Sequence, residues 1–452
     1  MEFFKKNKLI IITGSIAALA TIGVAALLVN VIGKQQEGKQ TVFRVVNLED
    51  TQDDPAVWAK NFPIHYEMYN STVDQVRTRY GGSEAVPHSP TNADPRSVLT
   101  QNKLQEDPYL KTMWLGYPFS VDFREERGHI WANMDQEFTG RQTNFKQPGT
   151  CLNCHSSSYA AMMKLGNGDL DKGFHAFNKL PWAEARKLVN HPVSCVDCHN
   201  PADMELRITR PALMNGLKAL KATQGVKDYD VNKMATRQEM RSYVCAQCHV
   251  EYYFKGPEKT LVFLWENGIK AEEILAYFDK VNHKDWIHKI TEAPTLKVQH
   301  PEYELYSQST HAKAGVTCTD CHMPYKKVGA QKVHDHHVRS PLLNIDNSCR
   351  TCHNVPASEL KARVETIQDK HWEIRGIAMK ALVELIKDIE TQMQAKAPEV
   401  KLTAARKHQR NAQFYIDFVE AENSTGFHAP QESLRIFSHA LDEVRKGQNA
   451  LR

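Results

Sequence analysis

The chain has 452 residues, 41% hydrophobic and 24% charged, enough apolar material for a sizeable packed core, which excludes a disordered chain. Lysine and arginine total 57 against 53 aspartate and glutamate, a net charge of +4 and too balanced for a protein that coats nucleic acid. The length suggests about three ordinary domains.

The first predicted element is apolar. Lys5, Lys6 and Lys8 precede a run from Leu9 to Gly33 that holds no charge. As a helix this run spans about 37 Å, enough to cross a bilayer core of about 30 Å. The flanking lysines favour the cytoplasmic side, so the rest of the chain is expected in the periplasm or on the outer face of the cytoplasmic membrane. Ala18 and Ala20 have the spacing of a cleavage site, but apolar residues continue to Ile32. Residues 1–33 therefore read as an anchor, with a cleaved signal sequence as the alternative. Residues 34–60 read as a polar linker.

All ten cysteines then fall into one repeated pattern, C-x-x-C-H. Its copies are Cys151, Cys154 and His155; Cys195, Cys198 and His199; Cys245, Cys248 and His249; Cys318, Cys321 and His322; and Cys349, Cys352 and His353. This is the attachment signature of c-type haem: two thiols add to two vinyl groups, and the adjacent imidazole reaches the iron. Zinc sites, redox pairs and disulfide frameworks use similar residues. None of them needs the same C-C-H order five times with no cysteine left over. Five haems in roughly 200 residues would form much of the core themselves, so residues 61–355 are expected as one pentahaem region without independent subdomains.

The pattern changes after Pro356. Leu360, Val364, Ile367, Ile374, Ala378, Ala381, Leu385, Ile389 and Met393 recur at helical spacing until Pro398. Two more amphipathic helices are predicted, over about 402–422 and 431–445. Residues 356–452 thus form a helical region with a stripe long enough to serve both the core and a partner subunit.

Two function classes fit five haems. In an electron conduit every iron has two protein ligands; in a multi-electron reductase one iron keeps a position for substrate. Sixteen histidines remain outside the motifs, so their number alone does not decide.

Further motifs carry a resemblance. Arg127, Gly128 and His129 precede the first haem motif, and Val250 to Phe254 follow the third. Lys297, Gln299 and His300 precede the fourth, Asp335, His336 and His337 follow it, and Gly426 to Pro430 lie near the end. In order and spacing the chain resembles the ammonia-forming pentahaem cytochrome c nitrite reductases from about residue 115 to 435. The resemblance implies a mainly α multihaem fold with little β and long C-terminal helices that commonly pair subunits into a homodimer. It implies His129 as distal ligand of haem 3, His336 of haem 2, His311 of haem 5 and His428 of haem 4. Haem 1 is then the substrate site, with Arg141, Tyr252 and His300 around it.

Nitrite is an anion that must lose two oxygens. Arg141 suits its oxygens, His300 suits proton delivery, and Tyr252 offers a hydroxyl. The resemblance also implies one Ca2+, held by Glu251 and Gln299 side chains and by Tyr252 and Lys297 carbonyls. It implies six-electron reduction of nitrite to ammonium, with hydroxylamine and nitric oxide as further substrates. The electron donor it implies is a membrane quinol-oxidising multihaem cytochrome. The family's first motif usually ends in lysine; here the residue is His155. The other readings are a membrane-tethered pentahaem electron carrier and a reductase of another small oxyanion.

Overall fold

The computed structural model describes residues 6–37, 44–71, 77–80, 92, 100–124, 126–145 and 147–452. Two units are resolved, residues 1–47 and 48–452. The first is built on helix α1 (Lys8–Glu37). Within it Lys8–Ile32 has a mean hydropathy of 2.3 and no buried residue, so α1 is long and apolar enough to cross a membrane.

The second unit is mainly helical, its short Pro/Gly-bounded segments followed by long periodic ones. Its labelled elements are α2 (Pro108–Met113), α3 (Pro211–Thr223) and α4 (Arg237–Ala246). Strands β1 (Tyr252–Lys255) and β2 (Thr260–Phe263) follow, then α5 (Ala271–Lys280) and strands β3 (Trp286–Ile287) and β4 (Pro294–Thr295). Strands β5 (Tyr325–Val328) and β6 (Gln331–His334) complete the sheet content, and α6 (Ala357–Gln394), α7 (Glu399–Glu420) and α8 (Pro430–Leu451) end the chain. Among the described residues the strands form three separate antiparallel pairs, with Tyr252 opposite Phe263 in the first.

The expected C-terminal helices are present with shifted ends. Pro356, Pro398 and Pro430 set their starts, since proline suits the first helical turn and not the interior. On α6 the buried residues include Val364, His371, Ala378, Leu382, Leu385 and Ile389, one stripe at three- and four-residue steps. Ala378, Leu382, Leu385 and Ile389 pack with Phe414 and Phe418 of α7, Ile436 and Phe437 of α8, and Trp114 and Phe278. A second core gathers Leu152, Phe174, Phe177, Leu213, Leu217, Phe263 and Trp265 around the first three cysteine motifs.

The expected linker at 34–60 needs correction at its C-terminal end. The compact unit begins at Leu48. Asp54 caps a helix over Pro55–Ala59, and Trp58 is 1% exposed against Tyr159 and Val196. Tyr159 also donates to Asp50 at 2.7 Å. One tryptophan and one paired carboxylate anchor a stretch whose polar composition reads as solvated. The 61–355 and 356–452 regions lie in one compact unit.

Candidate active site and haem-binding motifs

Each cysteine motif sits on a helical turn, which places cysteines three positions apart on one face. The first occupies a turn from Gly149 through His155 and the fourth a helix over Cys318–His322. All ten cysteines are free of disulfides. The thiols of Cys154 and Cys248 contact each other, as do those of Cys245 and Cys318. The first motif therefore adjoins the third and the third adjoins the fourth. Cys198 lies within electrostatic reach of Cys248, and Cys321 of Cys349. The motifs are thus connected 1–3–4–5, with motif 2 beside motif 3.

Three motif histidines face a second imidazole across nearly the same gap. Ring centroids of His199 and His336 are 6.2 Å apart, those of His311 and His353 6.2 Å, and those of His322 and His428 6.3 Å. Such a gap accommodates one metal atom bonded at about 2 Å to a nitrogen of each ring. The second nitrogen is used in each of four rings. His199 Nδ1 lies 3.0 Å from Met204 O, His322 Nδ1 3.0 Å from Arg339 O, and His336 Nδ1 3.0 Å from His334 O. A carbonyl only accepts, so Nδ1 carries the proton and Nε2 is left bare for a metal. His428 Nδ1 lies 2.6 Å from Glu422 Oε1. Of the neighbours of His336, His334 donates to Met323 O at 2.9 Å and packs on Tyr325, and the His337 backbone N–H donates to Asp335 at 3.0 Å.

Two glycines make these placements possible. Gly128 has φ +107°, which suits glycine and starts the turn His129–Trp131. His129 ends within electrostatic reach of His249. Gly426 has φ +80°, and a Cβ there would strike the His371 ring, so the loop carrying Phe427 and His428 passes α6 only as glycine.

Around His155 the proposed substrate residues converge. His300 protonation is held well below the usual range by burial, then by the neighbouring charges of His249, His155, Lys297 and Arg141. Tyr252 is pushed up by burial, and Cys154, Cys151 and Tyr117 lie near it. Strand alternation explains its aim: Tyr252 and Phe254 share one face of β1 while Tyr253 packs into the opposite core. Arg141 is 8% exposed; its Nη2 is 3.2 Å from Glu126 Oε1, and its Nε donates to Gln136 at 3.3 Å. Arg124 pairs instead with Asp122 at 2.7 Å, and Arg127 with Asp135 at 2.7 Å. Tyr117 was not singled out by sequence reading; it bonds the Gln299 side chain and lies near Cys151, and nothing in its local pattern marks it.

The residues expected to hold calcium also meet. Glu251 is fully buried, its Oε2 accepts from Gln299 N at 2.6 Å, and its Oε1 has no hydrogen-bond partner among the described residues. Burial drives its protonation well upward, and a cation beside it would favour the charged form. Lys297 points its ammonium elsewhere, 2.9 Å from Asp417 Oδ2 on α7. Its carbonyl accepts from Gln299 Nε2 at 3.3 Å. A carboxylate oxygen without a partner, a carbonyl and an amide in one buried place suit a hard oxygen-seeking ion. Asp417 is the partner that sequence reading missed, because it lies far along the chain from Lys297.

A mainly α, multihaem cytochrome fold carrying C-x-x-C-H motifs defines the class. Residues 54–452 match the Cytochrome c552 family. Cytochrome c-552 of Bacteroides fragilis (strain YCH46) is 36% identical over 443 residues, covering 96% of this chain and 84% of that protein. Cytochrome c-552 of Parabacteroides distasonis is 37% identical over 397 residues, 86% of this chain and 74% of that protein. The solved catalytic subunit of cytochrome c nitrite reductase from Desulfovibrio desulfuricans ATCC 27774, described with two calcium sites, superposes with a TM-score of 0.78. It is 30% identical, over 90% of this chain and 87% of that one. This chain belongs to the cytochrome c552 family, and the resemblance of its motifs to the cytochrome c nitrite reductases holds. It is a haem c oxidoreductase of that type.

Proposed function

We propose that the chain reduces nitrite to ammonium with six electrons at the haem of the first motif, the haems of motifs 2 to 5 relaying electrons. The observation that carries this is the convergence of Arg141, Tyr252 and His300 on Cys151, Cys154 and His155. The haem iron, when bound, supplies electrons and the coordination position for the substrate nitrogen. Arg141 keeps its charge at any working pH and holds the anion's oxygens. His300, buried and short of protons, gives up a proton readily once protonated, which suits delivery to a departing oxygen. Tyr252 stays a phenol and donates its O–H to nitrogen species stripped of oxygen. Hydroxylamine and nitric oxide fit the same pocket.

The ring gaps at His199 and His336, His311 and His353, and His322 and His428 support these as the pairs that would hold haems 2, 5 and 4, and His129, within electrostatic reach of His249, would join it at haem 3. Glu251, Tyr252, Lys297 and Gln299 would hold one Ca2+, whose charge would stiffen the strand bearing Tyr252 and add positive potential beside the anion site. Trp372, 42% exposed, and Ile377, 50% exposed, lie on α6 and suit its pairing in a homodimer. Helix α1 tethers the protein to the membrane, where a quinol-oxidising multihaem cytochrome supplies electrons.

A spin-state measurement on the purified oxidised protein tests the reading. One high-spin or water-ligated haem among five is expected, with nitrite perturbing its spectrum. Five low-spin haems indifferent to nitrite would make the protein an electron carrier instead.

A further inference from the structure

One buried cation ties the first two haem motifs together, and the residue before it reaches the third. Arg210 stands just before α3 and is 2% exposed. Its Nε donates to Asn153 O at 2.6 Å and its Nη2 to Ser156 O at 2.9 Å. Those two carbonyls bracket Cys154 and His155 in the chain. Nη2 also lies 2.8 Å from Asp197 Oδ1. The preceding residue extends the cluster. Thr209 N donates to Gln247 Oε1 at 2.8 Å, and Gln247 Nε2 donates to Asp197 O at 3.0 Å.

Asn153, Asp197 and Gln247 occupy the same place in their motifs, the second residue between the cysteines. They are 0%, 2% and 3% exposed. Motifs 4 and 5 carry Asp320 and Thr351 at that place, with partners of their own: Asp320 pairs with Arg241, and Thr351 donates to Ser348 O at 2.7 Å. What the first three motifs share is one hub, the Thr209–Arg210 pair, which reaches Asn153 through its main-chain carbonyl and Asp197 and Gln247 through their side chains.

We propose that Arg210, paired with Asp197, is a positioning residue that holds the peptides of motifs 1, 2 and 3 in register and sets the reduction potentials of the haems they carry. The proposal rests on those motifs carrying haem. A fixed charge in a low-dielectric interior acts strongly on its surroundings. A cation beside a haem favours the reduced state, which carries one more electron, and an anion opposes it. As a bonded pair, Arg210 and Asp197 largely cancel. Removing either one leaves the other uncompensated. Asp197→Asn keeps the shape and leaves the cation, so the potentials of these haems should rise. Arg210→Gln leaves the anion, so they should fall. Loosening of the fold alone would not give opposite signs. Arg210→Lys keeps the charge but loses the planar fork that reaches Asn153 O and Ser156 O together. Its potentials should stay close to the parent's, while its haem 1 spectrum broadens as the His155 loop loses its clamp.

The experiment compares mature parent protein with Asp197→Asn, Arg210→Gln and Arg210→Lys. Haem content comes from intact mass, and midpoint potentials from a redox titration followed optically and by electron paramagnetic resonance. The expected result is an upward shift for Asp197→Asn and a downward shift for Arg210→Gln, with the haem of motif 5 unmoved in both. If Arg210→Gln does not take up all its haems, the upward shift in Asp197→Asn alone decides. Fully loaded Asp197→Asn protein with unshifted or lowered potentials overturns the proposal while the haem assignment stands. Parent protein lacking haem at motifs 1 to 3 overturns the assignment itself, and the proposal with it.

Discussion

Three arginines compete by sequence for the anion clamp. All three have carboxylate partners, Arg124 with Asp122, Arg127 with Asp135 and Arg141 with Glu126, and the charge of Arg141 is felt at both His155 and His300. Arg141→Ala and His300→Ala should each slow nitrite turnover by at least about 10²-fold, the usual loss for a positioned charge or proton donor. Haem content should be unchanged in both, because neither is assigned as a ligand; steady-state ammonium assays and intact mass check this. Glu251 invites a separate test. Glu251→Ala removes the buried carboxylate whose Oε1 lacks a partner. Calcium should bind at least about 10-fold more weakly. Elemental analysis should show one ion fewer per chain, and turnover should fall in parallel. Retained calcium would show that the ion sits elsewhere.

The C-terminal helices are tied by polar as well as apolar contacts. Between α7 and α8, His408 Nδ1 lies 2.9 Å from Glu443 Oε2, and Asn411 donates to the same oxygen at 3.0 Å. Burial disfavours the Glu443 carboxylate, but hydrogen bonds from His408, Lys446 and Asn411 outweigh it and hold the group below its usual range. A carboxyl so depressed adds stability above its ordinary value of about 4.3, lost as pH falls through the depressed value. Glu443→Gln should therefore cost about 1 kcal/mol near neutrality. In thermal melts followed by the helical signal, the gap to the parent should close below about pH 4. A gap that persists in acid would mean the loss is one of packing. The same three helices bury Phe414, Phe418 and Phe437 completely, so the contact is a continuous core and not a surface dock.

For the whole molecule, the contacts of motifs 1 with 3, 3 with 4 and 4 with 5 lay out a path ending at His155. No residue of α1 is assigned to that path. A chain lacking residues 1–33 and exported on a cleavable signal should be soluble, carry its full haem complement and make ammonium at the parent rate. Loss of haem loading in that protein would give the segment a role beyond tethering.

The sequence by itself determined the chemistry that local spacing encodes. Two cysteines and a histidine within five residues need one helical turn and nothing else, so the haem motifs were legible directly. The apolar run of α1 and the stripe on α6 were legible for the same reason, since period and length are properties of a segment. Boundaries were less so: residues 48–60 looked like a linker until Trp58 found Tyr159 and Val196. What only the tertiary structure decided is which distant groups meet. His336 rather than its neighbours faces His199, Glu251 meets Gln299, Lys297 finds Asp417, and the Thr209–Arg210 pair joins three motifs. Each pairing crosses tens of residues or more and leaves no periodic trace. Such contacts are selected because a buried charge or polar atom must be matched wherever the fold brings it.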